Sequence, residues 1–293
     1  MRAERRQRLD ELVIRYKFSP KLRDIYVEGS SDKNLLEWFL REKGQRDFSI
    51  YEIDTVEIPA EKLQELGVSN NNKGRIIALA FELERRLSPL HLDLTCIADR
   101  DFDVLFDKEY ECEFLLFTDY SSMEMYLWDE SILNKFLTLG LGTSGVSAEG
   151  VLSKLAPVLE EVFLIRAANE ALELKMEWLD FTKSCSSSKY EIVFKDDEFI
   201  DKYLNKNSQR ANKQRFVEKI QQLRSVDIRE TRSKIRGHDF INLLCWCMKK
   251  ELSKKKRELD KPENMTGYLW LAAGADRLAQ EGLFRRLLSR LSE

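Results

Sequence analysis

The sequence predicts an α/β fold, a mostly parallel sheet flanked by helices, followed by a mainly helical C-terminal region. Three observations predict it. Short β-rich runs alternate with helical patterns up to about residue 130. One of those runs, Asp93–Ala98 (DLTCIA), is apolar enough to be buried on both faces, as parallel strands are. Beyond that point helix formers at 3.6-residue spacing prevail and strand signals are few.

Residues 1–18 read as a helix with Leu9, Leu12, Val13 and Tyr16 on one face, stopped by Pro20. Asp24–Gly29 (DIYVEG) is a strand closed by a glycine turn. Ser31 caps a helix carrying Leu35, Leu36, Phe39 and Leu40. Ser49–Asp54 is a second strand, Asn70–Gly74 (NNNKG) a turn, and Arg75–Leu87 a helix ending near Pro89. Asp93–Ala98 is the third strand and Glu113–Thr118 (EFLLFT) the fourth, with a helix from Ser122. Residues 131–182 and 209–290 are helical in pattern. Tyr190–Phe194 reads as extended and Thr182–Lys189 as a loop. The expected division is an N-terminal helix (1–19), an α/β domain (20–135) and a mainly helical region (136–293).

A chain of 293 residues with 43% hydrophobic content is not a disordered one. No apolar run approaches the roughly 20 residues of a membrane helix, and the opening MRAERRQR lacks the apolar stretch of a signal peptide. A cytoplasmic protein without a membrane partner is expected. Cys96, Cys112, Cys185, Cys245 and Cys247 contain no CxxC pair, which argues against a zinc ribbon or a thioredoxin-type site and for buried reduced thiols. With only His91 and His238, the sequence argues against a histidine-rich metal site as well.

Charge is sorted along the chain. From Asp93 to Glu130 there are twelve acidic residues against Arg100 and Lys108, and from Lys206 to Lys261 seventeen Lys/Arg against seven Asp/Glu. A cation site in the first stretch and a polyanion partner for the second would account for this. Packing of the two stretches on each other, or a solvated face, would account for the basic stretch equally well.

The carboxylates give the pattern its chemistry. Glu28 stands at the carboxyl end of the first strand, where an α/β sheet presents functional side chains. Asp32, in the first turn of the following helix, suits the helix dipole without any ligand. Asp99, Asp101 and Asp103 follow the third strand. In an extended chain they face one way, and their mutual repulsion calls for a hard cation, Mg²⁺ or Mn²⁺. Glu124 begins the helix after the fourth strand. Lys73, in the Asn70–Gly74 turn, could approach a phosphate but reads rather as a surface lysine, and Trp246, Tyr268 and Trp270 as core residues of amphipathic helices rather than base-stacking groups. Gly140, Gly142 and Gly145 match GxGxxG in form only, since no strand precedes them. No GxxxxGK[ST] loop or nucleophile elbow is present.

At these residues the chain resembles the Toprim superfamily, whose domain carries a glutamate at the end of its first strand and a DxD motif at the end of a later one. Tyr26–Asp32 (YVEGSSD) looks like the first and Asp99–Asp103 (DRDFD) like the second. Ser122–Leu127 (SMEMYL) is similar to an E-N-x-L element of a Toprim-like branch from bacterial defence loci, with Met125 in place of Asn. Ile235–Asp239 (IRGHD) is similar to that branch's late G-K-D element, with His238 in the Lys position. The branch includes the nuclease subunit of the PARIS anti-phage system, which acts with an ABC-type ATPase; nucleases of the overcoming-lysogenization-defect group are more distant relatives.

The resemblance implies a Toprim-like nuclease that uses Mg²⁺ or Mn²⁺ to cut tRNA or DNA as a toxic defence effector, restrained by an ABC-type ATPase sensor. A homodimer in the active state is a further expectation. Glu28, Asp99 and Asp101 would be catalytic and bind the metal, with Asp103 and Glu124 completing its shell; Glu28 as general base is an alternative. Lys234, Arg236 and His238 would contact the nucleic-acid backbone. The rival expectation is a non-catalytic Toprim-fold module that only binds an ATPase partner.

Overall fold

The computed structural model describes residues 6–88, 90, 93–142, 145–187, 191–249 and 261–292. Residues 1–5 of the expected first helix, Pro89, His91, Lys189, Tyr190 and residues 250–260 of the basic stretch lie outside the described residues. The chain forms two compact units. The first comprises Met1–Arg100, Glu109–Asp119 and Ala275–Glu293, the second Asp101–Lys108 and Tyr120–Gly274.

In the first unit β1 (Gln7–Arg8) precedes α1 (Leu9–Phe18), then β2 (Asp24–Val27), α2 (Ser30–Glu42), β3 (Ser49–Glu52), β4 (Val56–Glu57), α3 (Ala60–Glu65), α4 (Asn72–Leu87), β5 (Thr95–Ala98) and β6 (Leu115–Phe117). The first helix starts at Leu9 because Gln7 and Arg8 are drawn into a parallel pairing with β4. α4 starts at Asn72, three residues before the expected Arg75, because the Asn71 side chain accepts the Gly74 N–H and caps it there.

The main sheet is parallel, in the order β3-β2-β5-β6. The chain lays β3 on one side of β2 and β5 on the other, so the winding reverses between β2 and β5. The carboxyl ends of those two strands flank the crevice where open α/β sheets present their chemistry. Tyr26, Cys96, Ala98 and Leu115 share one buried cluster with Leu12, Tyr16, Ile76, Leu79 and Leu83 of α1 and α4. Ile25 and Val27 alternate to the opposite face. Within the core, the Tyr16 hydroxyl lies 2.9 Å from Asp24 Oδ2 and 2.7 Å from the Tyr26 hydroxyl, while Arg15 pairs with Asp24 at 2.9 Å. Burial pushes the Asp24 carboxyl up, against the opposing pull of Tyr16 and Arg15.

The second unit contains α5 (Glu130–Lys135), which runs into a π-helix (Phe136–Leu141), then α6 (Ala148–Ala171), β7 (Cys185–Ser187), β8 (Ile192–Phe194), α7 (Asp196–Lys206), α8 (Lys213–Arg224), α9 (Gly237–Met248) and α10 (Pro262–Ala273). The expected loop Thr182–Lys189 therefore holds a strand, which pairs antiparallel with β8. Gly140 and Gly142 close the π-helix, Gly142 in the left-handed region at φ 68°, so they serve a helix end. The chain then returns to the first unit with α11 (Ala275–Leu278) and α12 (Gly282–Ser292).

The units part at different places from the expected boundaries at 19/20 and 135/136. α1 belongs to the first unit because its Leu12 and Tyr16 lie in the sheet's own core cluster. α12 returns there because its apolar stripe needs a cover: Phe284 meets Phe39 of α2 edge-on with centroids 4.7 Å apart. The Asp119 carboxylate accepts the Leu283 N–H and an Arg286 guanidinium N–H.

Two consequences for stability are testable. In the second unit Asp239 is buried and takes both Nε and Nη2 of Arg166, at 2.6 and 2.8 Å, while the guanidinium lies 3.7 Å above the Trp178 ring. Burial lowers the Arg166 pKa even with this partner. Replacing Asp239 by Ala strands that cation and should cost about 3–5 kcal/mol, read from urea unfolding; a cost below about 1 kcal/mol would contradict the burial of the pair. In the first unit burial raises the Glu82 carboxyl, but Arg85, Lys62 and Arg86 outweigh it and hold it below its ordinary 4.5. A depressed carboxyl contributes stability above its unfolded value, and that contribution is lost as the pH falls through the folded value. Melting temperatures followed downward from neutral pH should drop below pH 4.5, and the drop should be shallower in Glu82→Gln.

Candidate functional site

In the first unit the residue after β2 is Glu28 and the residue after β5 is Asp99, so the winding reversal brings these two acids to adjoining strand ends. The Asp99 N–H donates to Glu28 Oε1 at 2.8 Å, a charge-assisted bond that fixes the Glu28 side chain. Around it the strand ends are stitched. The Arg100 N–H donates to Thr118 Oγ1 at 3.1 Å and its Nε to the Thr118 carbonyl at 2.9 Å. Asn72 Nδ2 donates to the Glu28 carbonyl at 2.8 Å, and Lys73 Nζ to the Arg100 carbonyl at 2.7 Å. Lys73 is buried at 9% exposure, which corrects its expected place on the surface. Asp32 stands in the first turn of α2, where the helix dipole favours it.

The run Asp99, Asp101, Asp103 does not continue the strand. β5 ends at Ala98, and Asp101 has φ 46°, in the left-handed region that few non-glycine residues enter. Asp101 and Asp103 lie in the second unit, where the Asp101 N–H donates to the Ser121 carbonyl at 2.7 Å and the Phe102 ring packs on Phe163 of α6 at 4.9 Å. Asp103 is buried there. The expected alignment of three carboxylates on one side of an extended chain is therefore not formed, because the backbone turns at Asp101.

The second unit joins the two later motifs. Glu124 lies in a 3₁₀ helix (Met123–Leu127) rather than at the start of an α-helix. It is half-buried; its Oε2 accepts from Ser122 Oγ at 2.8 Å, and its Oε1 stands 3.5 Å from His238 Nδ1. The Gly237 N–H donates to Ser122 Oγ at 3.2 Å, Ser121 Oγ donates to the Ile235 carbonyl, and the Ser121 N–H donates to the Arg232 carbonyl at 3.2 Å. SMEMYL and IRGHD thus meet. Gly237 is needed at the junction, since a Cβ there would lie 2.5 Å from Glu124 Cβ, Glu124 Oε2 and Ser122 Oγ.

His238 is 80% exposed at its side chain, Lys234 Nζ pairs with Glu160 at 3.2 Å, and Arg236 is half-buried at the start of α9. Several other cations of the basic stretch are paired inside the unit: Lys206 with Glu177, Lys213 with Asp201, Arg224 with Glu161 and Arg232 with Glu230. Trp246 is half-buried on a cavity of about 290 Å³ that Trp178, Arg166 and Asp239 also line, and Tyr268 is exposed, so neither is a core residue. The described cysteines form no disulfide, and burial pushes the Cys112 and Cys185 thiols up to about 12, which leaves them poor nucleophiles at neutral pH.

For a divalent metal the donor chemistry of Glu28 and Asp99 fits. Mg²⁺ is held through one or two carboxylates and keeps several waters, and these two residues are bound to each other at adjoining strand ends. Among the described residues no three His, Cys, Asp or Glu side chains converge as a ready-made cage. The fit is therefore one of donor type, two acids at adjoining strand ends with the Glu28 carboxylate held by the Asp99 backbone. Asn72, Thr118 and Ser121 were not singled out by sequence reasoning as site residues; only the polar NNNKG run before a helix signalled Asn72, while Lys73 was read as a surface lysine and Ser122 only as the start of SMEMYL. No protein-family model matches the chain, and no curated protein matches it.

Replacing Gly237 by Ala drives a methyl group into Glu124 and Ser122. We expect a loss of about 1–3 kcal/mol, read from urea unfolding midpoints; unchanged stability would mean that the two motifs do not meet.

Proposed function

We propose that the chain is a metal-dependent nuclease of Toprim type, cutting phosphodiester bonds of nucleic acid with Glu28 and Asp99 at the metal. The observation that carries this reading is the 2.8 Å bond between the Asp99 amide and Glu28 Oε1 at the point where the sheet reverses its winding. Mg²⁺ or Mn²⁺, when bound, would activate water and offset charge on the phosphoryl oxygens. The chain's own part is to hold the Glu28 carboxylate and the backbone that carries Asp99 in place: the Asp99 amide fixes Glu28, and Thr118 fixes Arg100 beside Asp99. By the resemblance Asp101 would be the second acid of the DxD motif, with Asp103 and Glu124 in supporting roles. Lys234, Arg236 and His238 would meet the phosphate backbone. By the same resemblance the target is tRNA or DNA, the setting anti-phage defence in the cytoplasm, and the restraint an ABC-type ATPase; the active form would be a homodimer.

No described helix is long and apolar enough to cross a membrane, and the reading requires none. Glu28→Gln should lower cleavage by more than about 100-fold, beyond the loss of a mere outer-shell partner, with circular dichroism unchanged. EDTA should stop the wild-type activity and added Mn²⁺ should restore it. Cleavage that survives both treatments would refute the site. A Mn²⁺ titration by calorimetry that detects no binding would favour a non-catalytic module.

A further inference from the structure

We propose that Asn72 and Lys73 are positioning residues, a clamp at the start of α4 that holds the two acid-bearing strand ends in the geometry that binds the metal. The proposal rests on the nuclease reading above and adds two residues to it.

One side chain reaches each strand end. Asn72 Nδ2 holds the carbonyl of Glu28 itself at 2.8 Å. Lys73 Nζ holds the carbonyl of Arg100, the peptide between Asp99 and Asp101, at 2.7 Å. Both arms leave the same helix turn, so neither strand end can shift without moving against the other. The turn is itself fixed. Asn71 Oδ1 caps the helix by accepting the Gly74 N–H at 2.8 Å, and a Cβ at Gly74 would lie 2.0 Å from the Ser69 carbonyl oxygen, so the helix start sits tight against the turn before it.

Lys73 brings a charge to this bond as well as a donor. Burying an ammonium at 9% exposure costs free energy, and an uncharged donor would serve a carbonyl as well. The placement sets that charge on the backbone next to Asp99 while its bond fixes the strand end. Residues that orient metal-binding carboxylates act in this way, and their loss typically costs about 10–100-fold in metal affinity or activity.

The test uses the full chain and three measurements on Lys73→Met and Asn72→Ala: Mn²⁺ affinity by calorimetry, melting temperature, and kcat with KM on a nucleic-acid substrate. A clamp predicts Mn²⁺ binding weakened about 10–100-fold in each variant, with kcat falling and KM nearly unchanged. If Lys73→Met does not fold, Asn72→Ala carries the test, since it removes a single hydrogen bond at a half-buried position. Mn²⁺ binding equal to wild type in both variants overturns the clamp while leaving the nuclease reading intact. Tighter Mn²⁺ binding in Lys73→Met overturns it too, because the lysine would then compete with the metal. No Mn²⁺ binding to the wild-type chain removes the nuclease reading and the clamp together.

Discussion

The hydrogen bond from the Asp99 amide to Glu28 Oε1 joins the ends of two parallel strands that are 71 residues apart in sequence. It can form because β5 is laid beside β2 on the side away from β3, so that the chain from β2 and the chain from β5 leave the sheet as neighbours. Had β5 been added beyond β3, the two acids would stand two strands apart, roughly 9–10 Å at the usual strand spacing. The other contacts of the first unit's site presuppose that adjacency: the reach of Asn72 to one strand end, that of Lys73 to the other, and the Thr118 bonds that hold Arg100.

How much of this was legible in the sequence follows from the range over which each signal acts. Strand periodicity and glycine turns are local, so the strands read at Asp24–Gly29 and Asp93–Ala98 fall on Asp24–Val27 and Thr95–Ala98, with Glu28 and Asp99 at their ends. The alternation rule applied to Asp101 and Asp103 failed because it assumes that the strand continues, whereas the backbone leaves the extended region at Asp101. That turn is set by partners far along the chain, the Ser121 carbonyl and the Phe163 ring. The stripe of Leu283, Phe284, Leu287 and Leu291 marks α12 as amphipathic in sequence, but its partner on α2 could not be read from the helix alone. Lys73 was misplaced for the same reason, since a lysine after three asparagines looks solvated until its carbonyl partner is known.

The second unit shows how a short motif can be held by shape more than by charge. Ser121 and Ser122 spend their hydroxyls on the Ile235 carbonyl and on Glu124, and the Gly237 amide reaches back to Ser122. The absence of a Cβ at Gly237 permits this approach, and the approach in turn sets His238 beside Glu124. The glycine and the histidine of IRGHD therefore have separate physical roles: one admits the neighbouring chain, the other offers an exposed ring. Asp239 has a third, facing inward to the Arg166 guanidinium.

The sorted charge of the sequence has to be weighed against these pairings. Seventeen cations in one stretch suggest a polyanion partner, but affinity for phosphate comes from charge that the fold leaves uncompensated. Lys206, Lys213, Arg224, Arg232 and Lys234 each face a carboxylate within the same unit, which reduces the field that a passing strand would meet. Of these, the pairs of Lys206 and Lys213 are exposed on both sides, and such pairs are worth only about 0–1 kcal/mol each, so a phosphate can displace their carboxylates at small cost. The half-buried Arg166–Asp239 pair cannot be exchanged so cheaply, because either partner left alone would be a stranded charge. A nucleic-acid surface on this unit would therefore be built from the weakly paired rim of the basic stretch, with the buried pair serving only to hold α6 and α9 together beneath it.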